Sequence, residues 1–291
     1  MNIPRIALGC AQFGLNYGIS NQAGQVLLKD ARNILTDAKT AGLDTLDTAI
    51  AYGDSEERLG QLGVDKWLVV TKLPRLPDSA KDISAWVQAS VTGSLRRLKI
   101  SNLDGLLLHY PADLLGVHGD DLYTELVELK ISGLVKKIGI SIYQPDELDA
   151  ILDHRVFDIV QAPLNIMDRR LISSGWLDRL YRMDVEIHVR SIFMQGLLLM
   201  TASQRPVKFQ RWKYLWDEWD HWLNVHQLSP LQGCLRYALS FSEIRRIIVG
   251  VESRRQLHEI LEASSGICPA VPLSMQSNDF KLINPSNWSS I

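Results

Sequence analysis

Four side chains in the first 109 residues form a set able to protonate and polarise a carbonyl: Asp47, Tyr52, Lys72 and His109. A tyrosine hydroxyl, with a free pKa of about 10, is a poor acid at neutral pH, and an adjacent ammonium draws it down by favouring the phenolate. Lys72 is the candidate ammonium. An aspartate beside the lysine fixes its direction, and a neutral histidine donates a hydrogen bond to a carbonyl oxygen; Asp47 and His109 supply these groups. The set holds a proton donor and a polarising site with no metal and no nucleophile, which is what hydride addition to an aldehyde or ketone requires. Singly, each residue has a plainer role: Asp47 as a helix cap, Tyr52 as a wall residue, Lys72 as a solvated strand end, His109 as a core histidine. The catalytic reading needs all four at one place.

The elements that would bring them together follow from the apolar pattern. Short runs of Val, Ile and Leu predict strands over 6–9, 43–47, 67–72, 103–109, 137–141, 159–161, 185–190 and 246–250. Helical spacing predicts helices over 29–41, 83–98, 122–132, 145–152, 174–182, 230–239 and 254–264, with a poorly formed one at 55–62. Continuous apolar strands alternating with helices imply a parallel sheet covered on both faces, and eight such units close into a barrel. A doubly wound open sheet competes, but it announces its nucleotide site with G-x-G-x-x-G after the first strand. Gly9-Cys10-Ala11-Gln12-Phe13-Gly14 does not fit that pattern. The expected fold is therefore α/β, a single-domain (β/α)8 barrel over 1–291, against the two domains that length alone suggests. In such a barrel the site lies at the C-terminal mouth, where Asp47, Lys72 and His109 end consecutive strands and Tyr52 follows in a loop.

Composition narrows the classes further. With Lys+Arg at 31 and Asp+Glu at 33, the formal charge is −2, which excludes a broad basic surface for nucleic acid. No stretch approaches the roughly 18 apolar residues of a membrane span. The cysteines, Cys10, Cys234 and Cys268, are odd in number and lack CxxC spacing, so neither a disulfide framework nor a metal site is legible. Met1-Asn2-Ile3-Pro4-Arg5 lacks the features of a secretory leader, and a cytoplasmic location is expected.

The run Asp47-Thr48-Ala49-Ile50-Ala51-Tyr52-Gly53-Asp54-Ser55-Glu56, with Leu59-Gly60, resembles the DTAxxYG…E…LG signature of the aldo-keto reductases. Val70-Thr71-Lys72 and Leu107-Leu108-His109 are similar to that family's lysine and histidine segments, and the resemblance runs from about 6 to 261. It implies Tyr52 as general acid, Lys72 as its activator, Asp47 as the lysine's partner and His109 as the group orienting the carbonyl. It also implies a nicotinamide dinucleotide, NADPH with NADH not excluded, lying across the barrel mouth. Gly139-Ile140-Ser141 is similar to the family's GxSN segment, so Ser141 and Gln161 are implied holders of the nicotinamide carboxamide; Ile142 stands at the Asn position. In Val189-Arg190-Ser191-Ile192-Phe193, Arg190 stands where the family has a tyrosine stacked on the nicotinamide, and both stacking and pyrophosphate contact stay open for it. Ser191 and Phe193 are implied cofactor contacts beside it. The segment 248–260 is similar to the adenosine-phosphate segment, which implies Gly250, Ser253, Arg254 and Gln256 as contacts. Gln256 and Ile260 replace the family's distal Arg and Asn, so NADP versus NAD stays open.

An unusually long connection, 197–228, carries Trp212, Trp216, Trp219 and Leu223 at helical spacing, which predicts an extra helix burying an aromatic stripe. Trp212, with Arg205, Lys208 or Arg211, is a candidate to overhang the mouth and favour a sugar-like or phosphate-bearing substrate. Gln12, Phe13 and Tyr17 are further candidate walls. The tail 268–291 is either a second shaping element or a frayed end. Its Asn284-Pro285-Ser286-Asn287-Trp288 resembles a pattern in bacterial family members associated with surface-sugar biosynthesis. The expected activity is NAD(P)H-dependent reduction of a small carbonyl compound. The alternatives are a sugar or alcohol dehydrogenase and a cofactor-sensing regulatory subunit, and no oligomeric state is read from the sequence.

Overall fold

The structure is a computed structural model that describes residues 5–291. The leader reading at residues 1–4 falls outside the described residues. Eight strands, β1 (Ile6–Gly9), β2 (Thr45–Asp47), β3 (Leu68–Leu73), β4 (Leu103–Leu108), β5 (Val135–Ser141), β6 (Ile159–Pro163), β7 (Glu186–Arg190) and β8 (Ile244–Gly250), close in sequence order into one barrel. Every neighbouring pair is parallel, including β1 with β8, where Gly9 stands opposite Gly250. Among the described residues this gives the single (β/α)8 unit that the apolar alternation predicts.

The longer helices are α1 (Leu28–Thr40), α2 (Ser55–Leu62), α3 (Ile83–Leu98), α4 (Gly119–Ile131), α5 (Glu147–Leu152), α6 (Trp176–Arg182), α7 (Lys213–Val225), α8 (Pro230–Leu239) and α9 (Arg254–Ala263). Their starts are set locally. Asp82 caps α3 by accepting from the Ala85 amide at 2.9 Å, and Ser229 with Gln232 closes a capping box ahead of Pro230 in α8. α1 turns Ala31, Ile34, Leu35 and Ala38 onto the barrel, the i, i+3, i+4, i+7 face of an amphipathic helix.

Most elements lie within two or three residues of the expected bounds, and two differences have a local cause. The weak helix at 55–62 is a complete α2. Buried Glu56 accepts from Thr71 at 2.7 Å, Ser94 at 2.6 Å and Arg97 Nε at 2.8 Å, so side chains outside the helix hold it in place. The helix expected at 174–182 starts two residues later, because Gly175 takes the left-handed conformation (φ 80°) and separates α6 from the short helix Arg170–Ser173.

The long connection and the tail form one packed unit. α7 buries Leu215, Trp216, Trp219, Trp222 and Leu223. The tail lies over it: Trp222 Nε1 donates to the Ala270 carbonyl at 3.0 Å, Trp212 Nε1 to Asp279 Oδ2 at 2.9 Å, and Lys208 Nζ to the Trp288 carbonyl. Trp288 meets Phe209 edge to face at 4.9 Å and donates its own N–H to the Leu282 carbonyl at 2.8 Å. The tail is therefore anchored, and the frayed-end alternative is set aside by its buried indole. Trp288→Ala is expected to cost about 3 kcal/mol, the scale for deleting a large buried aromatic, read as a lowered urea midpoint at unchanged m-value.

Candidate active site

The mouth of the barrel is organised around a buried ion pair. Lys72, inside β3, and Asp47, at the end of β2, face each other with Nζ and Oδ1 2.7 Å apart, the side chains only 1% and 7% exposed. The ammonium also donates to the Thr48 carbonyl at 2.8 Å, and Asp47 Oδ2 accepts from Gln161 Nε2 at 2.7 Å. Gln161 in turn accepts from Ser141 Oγ at 3.2 Å. Strands β2, β3, β5 and β6 thus meet in one hydrogen-bonded chain.

Tyr52 hangs over this pair. Lys72 Nζ lies 5.4 Å from its ring centroid, and the His109 ring stands edge-on to it at 5.8 Å and 80°. Its loop is held by main-chain contact: a Cβ on Gly14 would fall 1.8 Å from the Tyr52 carbonyl oxygen, and one on Gly53 (φ 55°) 2.3 Å from the Gly14 carbonyl oxygen. Only glycine fits at either position. Ser55 adds a hydroxyl bond to the Cys10 carbonyl at 2.9 Å, tying the turn to the end of β1.

The electrostatics depart from the sequence expectation at one point. The phenol is not drawn down on balance. Burial pushes the Tyr52 phenol above its ordinary value and the Asp47 carboxylate pushes it further, while Arg190 is the cation that pulls it back. His109 behaves as expected of a neutral donor: burial first, then Lys72 and Arg190, lower it to about 4.

A cleft of about 420 Å³ runs from this group across the mouth. Asp47 and Tyr52 close one end, Gly9 and Gln12 follow β1, and Gly250, Glu252, Arg255, Gln256, Glu259 and Ile260 form the far end beside α9. One flank is Arg190, Ser191 and Phe193, with Tyr17 among the lining residues. Arg190 donates to the Ile142 carbonyl at 2.9 Å and to Ser191 Oγ at 3.3 Å, and stacks on Tyr143 at 4.7 Å. It makes no ion pair among the described residues.

Several expected contacts lie elsewhere. Ser141 and Gln161 are fully buried and bonded to each other and to Asp47, outside the cleft lining. Ser253 spends its hydroxyl capping α9, accepting from the Gln256 amide at 3.2 Å. Arg254 turns to α1, where Nε and Nη2 bind Asp37 at 2.6 and 2.9 Å. Phe13 is wholly buried beneath the first loop, and Trp212 is held by the tail, so neither lines the cleft. Conversely, Glu252, Arg255 and Glu259 line it unanticipated. Their spacing with Gln256, three and four residues apart across the start of α9, is the signal that places them on one face.

The Aldo/keto reductase family profile matches residues 5–268. The chain belongs to the aldo/keto reductase family. An uncharacterized oxidoreductase of Bacillus subtilis strain 168 is 23% identical, covering 91% of this chain and 88% of its own. A D-threo-aldose 1-dehydrogenase of a Pseudomonas species is 25% identical, over 91% and 93% respectively. Among solved structures, the holo form of an aldo-keto reductase from Bacillus halodurans shares the fold with a TM-score of 0.72 at 21% identity, over 91% of this chain and 88% of that one.

The protein is thus an oxidoreductase of this family, whose members use nicotinamide cofactors. The cleft residues suit such a group. They include Gln12, Ser191, Arg190 and Gln256 as polar contacts, and Gly250 without a side chain where a Cβ would fall 2.3 Å from Gln12 Nε2.

The depressed His109 value has a direct readout. The ring signals of His109 are expected to stay constant from neutral pH until they inflect at about 4, measured by proton–nitrogen correlation spectra with His109→Asn for assignment. Since the unfolded chain takes up that proton near about 6.5, native stability contributed here is complete above that pH and falls as pH drops toward about 4. An inflection near the ordinary value would remove the neutral donor.

Proposed function

We propose that the enzyme reduces an aldehyde or ketone, of a sugar-like substrate, to the alcohol, with Tyr52 giving the proton to the carbonyl oxygen. The observation that carries this reading is Tyr52 beside the Asp47–Lys72 pair with a neutral His109 edge-on at 5.8 Å, with Asp47 and Tyr52 lining a cleft that also takes in the start of α9. When bound, a reduced nicotinamide dinucleotide supplies the hydride. The residues of this chain do the rest. His109 Nε2 or Nδ1 donates to the carbonyl oxygen and orients it, the Tyr52 hydroxyl protonates that oxygen as charge develops on it, and the Lys72–Asp47 pair holds the floor beneath the phenol. Gln12, Arg190, Ser191, Phe193, Gly250 and Gln256 would hold the dinucleotide. The sugar-like substrate is supported by the aldose named for the Pseudomonas relative and by the polar wall of Gln12 and Tyr17.

That relative's name also favours the reverse direction, oxidation of a sugar. The same residues serve both directions, and pH and the ratio of oxidised to reduced dinucleotide set which one runs.

Tyr52→Phe is expected to lower turnover on a panel of aldoses and small aldehydes by about 100-fold or more, with dinucleotide binding retained. Unchanged turnover would remove Tyr52 as the acid. A wild type that binds the dinucleotide and reduces none of the panel would favour the regulatory role.

A further inference from the structure

We infer that Glu252 makes this enzyme select the dinucleotide that carries a free ribose 2′-hydroxyl, NADH, over the 2′-phosphorylated form, NADPH. The inference rests on the cofactor reading above and decides a chemical detail which that reading leaves open.

The position of the adenosine half follows from the topology. The hydride must be delivered beside Tyr52, so the nicotinamide half belongs at the β2 end of the cleft. The strand order β2, β1, β8 then carries an extended dinucleotide over Gly9 and Gly250 to the start of α9. Glu252 and Glu259 are two carboxylates on this wall, and Arg255 is its one cation. Arg255 is 83% exposed and only 3.8 Å from Glu259, a loose surface pair that leaves the end of the cleft with a negative balance. The other arginine of the segment is withdrawn: Arg254 binds Asp37 through two nitrogens on the opposite side of α9.

The donors that usually meet a phosphate at a helix start are also spent. Ser253 Oγ accepts the Gln256 amide, and Gln256 Oε1 accepts the Glu252 amide at 2.7 Å. Gln256 Nε2 lies 3.4 Å from Glu252 Oε2, which holds the carboxylate at the cleft wall rather than free in solvent. A phosphate monoester carries close to two negative charges at neutral pH, and bringing it to this wall sets it against Glu252 and Glu259. A 2′-hydroxyl instead donates to a carboxylate, the same chemistry by which an acidic residue meets the free ribose hydroxyl in doubly wound dinucleotide-binding folds. The family resemblance implies NADPH with NADH not excluded; the withdrawal of Arg254 to Asp37 and the carboxylates on this wall favour NADH.

The test titrates the full-length enzyme with NADH and with NADPH, following quenching of tryptophan fluorescence, and repeats both titrations with 5′-AMP and with 2′,5′-ADP to isolate the adenosine end. Wild type is expected to bind NADH about tenfold or more tightly than NADPH, and 5′-AMP more tightly than 2′,5′-ADP. Glu252→Gln, which keeps the shape and the bond to Gln256, should narrow the gap. Glu252→Lys should reverse it, while Arg254→Gln should leave the ratio as it is. Equal or tighter binding of NADPH by wild type, or a ratio unmoved by Glu252→Gln, overturns the inference while leaving the dinucleotide reading intact. Binding of neither dinucleotide overturns both.

Discussion

Two opposite charges held out of water at the centre of the mouth set the terms for the rest of the site. Moving an ammonium and a carboxylate into a barrel interior costs several kcal/mol per ion, and their attraction offsets this only when the remaining donors and acceptors are satisfied. Here the compensation comes from three other places: the Thr48 carbonyl, the Gln161 amide and, behind it, Ser141. Each belongs to a different turn or strand, so the pair survives only if the strands close in the correct register. That register is the observed one, with Ser141 opposite Gln161 across β5 and β6 and Asp47 opposite Val70 across β2 and β3.

Burial comes first in the electrostatics of the cleft, and the charges of the pair act on top of it. Burial holds the proton on Tyr52 and Asp47 adds to that; burial keeps the proton off His109 and Lys72 adds to that, while Arg190 acts on both. A protonated phenol beside an unprotonated imidazole is the state that a carbonyl oxygen can meet with two donors. The acidic far end beside α9 completes a gradient along the cleft, from a guanidinium near the reaction centre to carboxylates at the other extremity.

Much of this was legible in the residues because it follows from periodicity. Eight apolar runs alternating with helical segments define the barrel, and Asp47, Tyr52 and His109 gather at the mouth because strand ends in such a fold converge. What was not legible depends on side-chain direction. Arg254 and Arg255 are adjacent in sequence, but a helix sends them to different faces, one to Asp37 on α1 and one to the cleft. Ser141 and Gln161 carry the right types for a carboxamide yet satisfy each other. Whether a polar strand end faces the cleft or its neighbour is a question of tertiary hydrogen bonding that spacing does not encode. Trp212 misled for the opposite reason: its helical spacing with Trp216 correctly marked an aromatic stripe, but Asp279, the acceptor that draws its indole away from the mouth, lies far along the chain in the tail.

The close approach of Gly14 and Gly53 separates two tasks carried by neighbouring loops, one after β1 and one after β2. Tyr52 is located by peptide backbone pressed against peptide backbone, with no side chain between. The chain from Leu15 to Val26, including Tyr17, starts only after that contact and runs over the cleft as a wall. Tyr52 is therefore clamped to the barrel frame while part of the cleft wall is carried by an appended segment. Under the proposed reaction, residues there can be exchanged to admit a differently shaped carbonyl compound without shifting Tyr52, which makes this segment the place where substrate scope can drift or be redesigned.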